Sequence, residues 1–320
     1  DCASGEARLR VAQRIPAGTI GQALAPGTAA RIFTGAPIPP GADAIVMQEV
    51  CTVEGDDVVV RHQPGSGEWI RKAGEDIRAD SRILERGTKL TPQACGLAAS
   101  VGLANLPVYR RLRVAVFFTG NELVMPGEKL PVGAIYNSNR FTIRGLLQGI
   151  GCEVIDLGIV PDSLDATRAA FRRAAASSDL IVTSGGMSVG EEDYVKAAVE
   201  AEGEIDMWRI AIKPGKPLAF GRVGGAAFIG LPGNPVSLFV TAVVFVRPFI
   251  LRSQGVAGIE PLAFPVRADF DWPKPDVRRE FLRVKLNGEG GLALYPNQGS
   301  AVLTSAVFAD GLVDNPEHHP

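Results

Sequence analysis

The sequence predicts a multidomain α/β plus β protein. A central doubly wound, mostly parallel α/β domain is flanked by a β-rich N-terminal module and a small all-β C-terminal domain. Three observations predict it. Apolar strands alternate with helices of about a dozen residues from Arg113 onward, the pattern of βαβ units. Glycine and proline number 37 and 23 in 320 residues, which implies many tight turns. Helical periodicity stops after about Gly258. The length also exceeds the usual 100–200 or so residues per domain, so two or three units are expected.

In residues 1–67 short apolar runs alternate with turn residues: Ala29 to Phe33, Ala44 to Met47, and Val58 to Val60 after the turn Glu54-Gly55-Asp56-Asp57. Residues 68–110 form a connecting segment. A charged loop, Arg71 to Asp76, precedes Thr91-Pro92-Gln93, an N-cap and N1 proline opening a helix through Val101 that ends at Gly102.

Residues 111–257 carry the α/β pattern. Val114–Phe118 is a buried strand, and Asn139–Ile150 is an amphipathic helix with Ile143, Leu146, Leu147 and Ile150 at helical spacing. A strand at Glu153–Val160 leads to a helix at Ser163–Ala176, whose Leu164, Thr167, Phe171 and Ala174 form one face. The strand Leu180–Thr183 runs into Ser184-Gly185-Gly186, followed by a helix at Glu191–Ala201. Strands around Trp208–Ile212, Leu218–Phe220 and Ala226–Gly230 precede the apolar helix Val236–Val246. Residues 258–320 read as a barrel-like β domain with a hairpin at Asn287-Gly288-Glu289-Gly290.

Composition narrows the function. A net charge of −2, with 21% charged and 46% hydrophobic residues, excludes wholesale disorder and the positive field of a nucleic-acid binder. The longest apolar stretch, Val236–Val246, contains Ser237 and Thr241, stops at Arg247-Pro248 and is too short to span a bilayer, so no membrane partner is expected. Cys2, Cys51, Cys95 and Cys152 are widely separated and histidines number 3, which argues against a zinc site or a disulfide framework and fits a cytoplasmic location.

Four turns at predicted strand ends concentrate the chemistry, because a doubly wound sheet binds its ligand there. Thr119-Gly120-Asn121-Glu122 projects Glu122 from a strand end, as a metal-binding or simply solvated carboxylate. Ser184-Gly185-Gly186-Met187-Ser188-Val189-Gly190 lets backbone N–H groups approach an anion and lacks the spacing of a P-loop or dinucleotide fingerprint; Asp193 follows in the first turn of the next helix. Ile212-Lys213-Pro214-Gly215-Lys216-Pro217 holds two lysines close together, and an anion between them would relieve their repulsion. Gly230-Leu231-Pro232-Gly233-Asn234-Pro235 places Asn234 as N-cap and Pro235 as N1 of the apolar helix. Asp162 reads equally as an acidic site residue or as part of a helix cap before Ser163. Together these features describe a crevice for a phosphorylated ligand with a divalent cation. Mg²⁺ suits the oxygen donors.

In this order, Thr34-Gly35-Ala36-Pro37, Gly74-Glu75-Asp76, Thr119-Gly120-Asn121-Glu122-Leu123, Ser184-Gly185-Gly186 to Asp193-Tyr194, Lys213 to Pro217 and Gly230 to Pro235 resemble the molybdopterin molybdenumtransferase family, bacterial relatives of the gephyrin E domain. The resemblance runs from about Ala29 to Ala309 and makes the central domain one of molybdopterin-binding type. It implies an enzyme of molybdenum cofactor biosynthesis that inserts molybdate into adenylylated molybdopterin, cleaving the pyrophosphate with Mg²⁺ and releasing AMP. By motif position, Asp193, Glu122 and Asp76 surround the metal and Asp162 is a further acidic group. Lys213 and Lys216 neutralise phosphate or molybdate charge, and Arg209 stands where relatives often carry lysine. Arg283 and Ser300 match the molybdate pocket, and Thr34 matches an active-site position supplied by the partner subunit of a homodimer. The adenylyltransferase of the preceding step is an implied partner.

The resemblance leaves two departures. The chain starts after a family segment whose aspartate belongs to the active site, and it stops before the usual closing strands, so the last domain is expected to be incomplete or differently closed. Two readings compete with insertion: adenylylation of molybdopterin with ATP, and a noncatalytic molybdopterin-binding scaffold. The extra β modules and the two-lysine turn favour insertion over adenylylation, and the convergence of charges on one cleft disfavours a scaffold.

Overall fold

The computed structural model describes residues 2, 5–187, 194–273 and 275–319. Two compact units result, Asp1–Ile83 and Leu84–Pro320.

The first unit is built on a four-stranded sheet. Strands β1 (Ala7–Ile15), β2 (Thr28–Ile32), β3 (Cys51–Glu54) and β4 (Asp57–Val60) lie in the order β2-β1-β4-β3. The β3–β4 hairpin turns at Gly55, φ +64°, as the turn residues required. Strand β1 escapes sequence reading because arginines interrupt its apolar residues, yet their strict alternation is the period of a half-buried strand. Ala44 to Met47, expected as a strand, lies outside every strand, although Ile45 N–H donates to Glu68 O at 3.0 Å.

The second unit opens with α1 (Pro92–Ser100), capped by Thr91, whose hydroxyl accepts from Ala94 N–H at 3.3 Å. Then follow β5 (Arg113–Thr119), β6 (Leu123–Val124), β7 (Ile135–Tyr136), α2 (Ser138–Gly149), β8 (Glu153–Val160), α3 (Leu164–Ser177), β9 (Leu180–Ser184) and α4 (Tyr194–Glu202). Next come β10 (Gly203–Trp208), β11 (Ile212–Lys213), β12 (Ala219–Val223), β13 (Ala226–Leu231), α5 (Pro235–Thr241) and α6 (Arg247–Ser253). The chain closes with β14 (Arg279–Leu286), β15 (Leu292–Leu294), α7 (Leu303–Phe308) and β16 (Gly311–Asn315).

Six strands form the central sheet in the order β10-β12-β13-β9-β5-β8. The four from β13 to β8 are parallel, and β12 and β10 add antiparallel edges. Alternation along β5 sets the two faces. Val114, Val116 and Phe118 pack with Ile143 and Leu147 of α2 and Leu238 of α5, while Ala115 and Phe117 pack with Phe171 of α3 and Val195 and Val199 of α4. Phe117, Phe171 and Phe228 meet edge to face at 5.0 and 5.2 Å, each burying roughly 1.5–3 kcal/mol of hydrophobic stabilisation. From β5 the chain steps to β8 on one side and then to β9 on the other, so the strand order reverses between β5 and β9. Their carboxyl ends open the crevice there.

The apolar helix does not stop at Arg247-Pro248. A π turn at Ala242–Val246 joins α5 to α6, giving one 19-residue helical stretch, Pro235–Ser253, long and apolar enough to cross a membrane by length and composition. Its Leu238, Ala242, Val246 and Ile250 are instead buried in the core beside α2, which is why the sequence there is apolar. The wider turn accommodates Pro248, whose ring and missing N–H do not fit a continuous α ladder.

Strand β14 anchors the C-terminal sheet, pairing with β11 in parallel and with β15 and β16 antiparallel. The expected hairpin turns at Asn287, whose side-chain oxygen accepts from Glu289 and Gly291 N–H at 3.0 and 2.9 Å. Helix α7 was not expected after Gly258; it is barely two turns long and lies against α5 and β14.

Candidate functional site

At the carboxyl ends of β5, β9 and β13 the backbone closes up around small residues. Gly185 and Gly186 have φ of +95° and +62°, a region that L side chains rarely adopt. A Cβ on Gly185 would fall on the Thr119 carbonyl oxygen, and one on Gly186 would come within 2.6 Å of Val195 Cγ2 and 2.9 Å of Thr119 Oγ1. Gly233 is the open side of the cradle: among the described residues a Cβ there would meet only Gly185 Cα, at 3.9 Å.

Asn139 stitches these turns together. Its Nδ2 donates to Ser184 Oγ at 3.0 Å and to Gly233 O at 2.7 Å, while Ser184 Oγ donates to Pro232 O at 3.0 Å. Two polar atoms beside the cradle, Thr119 Oγ1 and Asn139 Oδ1, are buried without a hydrogen-bond partner among the described residues. Orphaned buried polar atoms are rare and mark places where a ligand or water completes the bonding.

Asp162 is a clasp. Ser163 caps α3, accepting from Ala166 N–H at 3.3 Å, so Asp162 is not needed there. Its Oδ2 accepts from Asn121 N–H at 2.7 Å, and its own N–H donates to Asn121 Oδ1 at 3.2 Å. This holds the turn after β5 against the turn after β8 and leaves neighbouring Glu122 exposed at the rim.

The two lysines differ in surroundings. Lys213 Nζ lies 2.9 Å from Glu280 Oε1 and 3.2 Å from Asp276 Oδ2, whereas Lys216 is exposed and in no ion pair among the described residues. The repulsion inferred between them is therefore offset by carboxylates more than sixty residues away in sequence. Burial opposes the charge on Lys213, but the two carboxylates outweigh it and raise its pKa. Arg278, in a forked pair with Asp276, pulls the Asp276 carboxyl well below the usual range despite partial burial. Gly215 permits the turn, since a Cβ would come within 2.5 Å of Thr241 Cγ2 at φ +119°. Arg209, exposed at the end of β10, holds φ +81°, an uncommon conformation for a non-glycine residue.

Asn234 occupies the N-cap position of α5, but its side chain does not cap. Its Nδ2 donates to Ser300 Oγ at 3.1 Å, and Ser300 O accepts from Val236 N–H at 3.0 Å. These bonds bring Ser300 to the Pro232-Gly233-Asn234-Pro235 turn. Arg283 is buried, its guanidinium donating to Phe281 O at 3.0 Å, Ser305 Oγ at 3.2 Å and Gly299 O at 3.3 Å. Burial lowers its pKa to about 10.

Thr34 and Asp76 lie exposed in turns of the first unit, and Ser188, Gly190 and Asp193 lie outside the described residues. Among the described residues no three His, Cys, Asp or Glu side chains gather as a metal site. Sequence reasoning missed Asn139 and Glu280. Asn139 hides in an unremarkable helix start, Asn137-Ser138-Asn139, and Glu280 lies in a strand where nothing local marks it as a partner for Lys213.

The fold defines an α/β protein with a doubly wound sheet, whose glycine-rich turns gather at the switch point where ligands of such sheets bind. Residues 115–252 match the family described as "Probable molybdopterin binding domain", residues 2–102 the "MoeA N-terminal region (domain I and II)" and residues 265–320 the "MoeA C-terminal region (domain IV)". A molybdopterin molybdenumtransferase from Haemophilus influenzae is 47% identical over 88% of this chain and 71% of its own length. Molybdopterin molybdenumtransferase 2 from Mycobacterium tuberculosis is 38% identical over 97% and 78%. The crystal structure of a molybdopterin biosynthesis MoeA protein from Pyrococcus horikoshii OT3 superposes with a TM-score of 0.81 at 26% identity, over 99% of this chain and 78% of that one. The chain belongs to the molybdopterin molybdenumtransferase family.

Proposed function

We propose that this protein is the transferase that inserts molybdate into adenylylated molybdopterin, cleaving its pyrophosphate and releasing AMP in the biosynthesis of molybdenum cofactor. The observation that carries the reading is the glycine cradle of Gly185, Gly186 and Gly233, locked by Asn139 at the switch point. Among the described residues no side chain stands between this backbone and a ligand, and the turn reaches the proposed molybdate residues through the Asn234–Ser300 bond. The phosphates occupy the cradle, and Ser188 and Gly190 are further residues that bind them.

Lys213 and Lys216 face the charge that builds on the departing AMP, a gain realised in the transition state. Ser300 offers a hydroxyl to molybdate. Arg283 shapes that pocket, its guanidinium already engaged by the three oxygens around it. Arg209 contributes a further positive group at the end of β10. Asp162 acts through its clasp on Asn121, setting the position of Glu122.

Mg²⁺, bound through Glu122 and Asp193, would neutralise the phosphoanhydride. The described residues do not by themselves assemble a cation site. The protein works as a cytoplasmic homodimer in which Thr34 serves the partner's site, and it receives its substrate from the adenylyltransferase of the preceding step. Residues 111–257 and 258–320 supply the substrate and molybdate sides of the crevice; Thr34 lies in residues 1–67 and Asp76 in residues 68–110.

Incubation with adenylylated molybdopterin, Mg²⁺ and molybdate, followed by transfer of the product to a cofactor-free molybdoenzyme, tests the reading. Recovery of that enzyme's activity is expected; a product that restores nothing would refute it. Sedimentation at twice the 33.8 kDa chain mass tests the dimer.

A further inference from the structure

We propose that Glu280 is a positioning residue for Lys213, converting that lysine from a diffuse positive charge into a directed donor. The proposal rests on the transferase reading above. Glu280 is only 1% exposed, and a carboxylate that deep needs partners to offset its desolvation. It has one on each oxygen. Trp272 Nε1 donates to Oε2 at 2.7 Å, and the Lys213 ammonium sits 2.9 Å from Oε1, as an ion pair rather than a well-aligned hydrogen bond.

The backbone enforces the contact. Strands β11 and β14 pair in parallel with Lys213 opposite Glu280, so the C-terminal sheet grips the Lys-Pro-Gly-Lys-Pro turn by main chain and side chain together. Asp276 holds the same ammonium from a second side at 3.2 Å, and is itself fixed by the Arg278 fork at 2.8 and 2.9 Å.

The charges of Lys213, Arg278, Asp276 and Glu280 sum to zero. Lys213 therefore adds little net attraction for an approaching anion. What it offers is an ammonium on a flexible four-carbon stem that has already lost its rotamer freedom, with 40% of its side chain still open to solvent. Lys216, exposed and in no ion pair among the described residues, supplies the net charge. The two lysines thus divide the work: Lys216 attracts the anion and Lys213 orients it.

Two arms on the whole protein test this. The first is amine acetylation followed by mass spectrometry, which needs no turnover. Lys213 should react about tenfold more slowly than Lys216, and Glu280→Gln should bring it to within about twofold of Lys216 without altering Lys216 itself. The second is a double-mutant cycle on molybdate-dependent AMP release. Glu280→Gln should cost about tenfold in the wild-type background and nothing further in Lys213→Met, while Glu280→Asp restores part of the loss. Unchanged Lys213 acetylation in Glu280→Gln, or a full tenfold loss on top of Lys213→Met, would overturn the proposal. Should Glu280→Gln not fold, Asp276→Asn must raise Lys213 acetylation in the same direction. A wild-type protein that releases no AMP would count against the transferase reading, while the acetylation arm would still decide the relation between Glu280 and Lys213.

Discussion

The backbone N–H of Asn121 donates to Asp162 at 2.7 Å, and the N–H of Asp162 returns a bond to the Asn121 side chain at 3.2 Å. This reciprocal pair fixes two crevice turns that lie forty-one residues apart in sequence. An amide oxygen accepts an N–H as a carboxylate does, so Asp162→Asn should keep the clasp and activity within about threefold, whereas Asp162→Ala should lose tenfold or more and about 1–2 kcal/mol of stability. Turnover and thermal melts of both variants check this. Equal damage by both would instead mark Asp162 as a group acting through its charge.

Gly185 and Gly233 should respond in opposite ways. Gly185→Ala combines a positive φ with a Cβ on the Thr119 carbonyl, so it should destabilise the protein by about 3 kcal/mol or more. Gly233→Ala places its Cβ at ordinary contact distance, so the melting temperature should hold. The added methyl nevertheless fills the cradle, and KM for adenylylated molybdopterin should rise about tenfold.

Asp179 provides an acid-sensitive joint at the other end of the sheet. It accepts both arms of Arg110 at 2.7 Å and the Arg113 N–H at 2.9 Å, holding the start of β9 to the start of β5. The Arg110 fork leads in pulling its carboxyl far below the usual range, against a smaller opposing effect of burial. A depressed folded-state pKa means that the stabilisation is complete above the unfolded value of about 4 and is lost as pH falls below it. Melts between pH 5 and pH 2.5 should show a steep decline that Asp179→Asn flattens, starting from a lower stability at neutral pH.

Arg283 and Ser300, both assigned to molybdate in the proposed function, should separate structure from function. Removing the Arg283 guanidinium takes away the buried donor that the Phe281 and Gly299 carbonyls and the Ser305 hydroxyl share. Arg283→Ala should therefore cost about 2–4 kcal/mol along with activity. Ser300→Ala loses only its hydroxyl bond to Asn234, and should weaken molybdate use with a melting shift of no more than about 3 °C. Thermal melts paired with molybdate titrations distinguish the two.

The parts of this architecture that local chemistry dictates were legible in the sequence. Thr91-Pro92 opens a helix, Asn287 to Gly290 turns a hairpin, and the apolar runs of β5 and β9 lie at the centre of a parallel sheet. The glycine turns fell at strand ends because close approach of the backbone demands them. Strand β1 was hidden by its arginines, and the helix through Pro248 by a rule for α ladders that a π turn evades. The pairing of Lys213 with Glu280 depends on a parallel bridge between residues sixty-seven positions apart, and no local pattern encodes such a partner.

The most direct test of the central claim is AMP release from adenylylated molybdopterin with Mg²⁺, measured with and without molybdate and in the absence of ATP, with Asp193→Asn beside the wild-type protein. Release that requires molybdate and falls at least tenfold in the variant is the predicted result. Tight binding of the adenylylated substrate with no molybdate-dependent AMP would contradict it and leave a binding protein in place of a transferase.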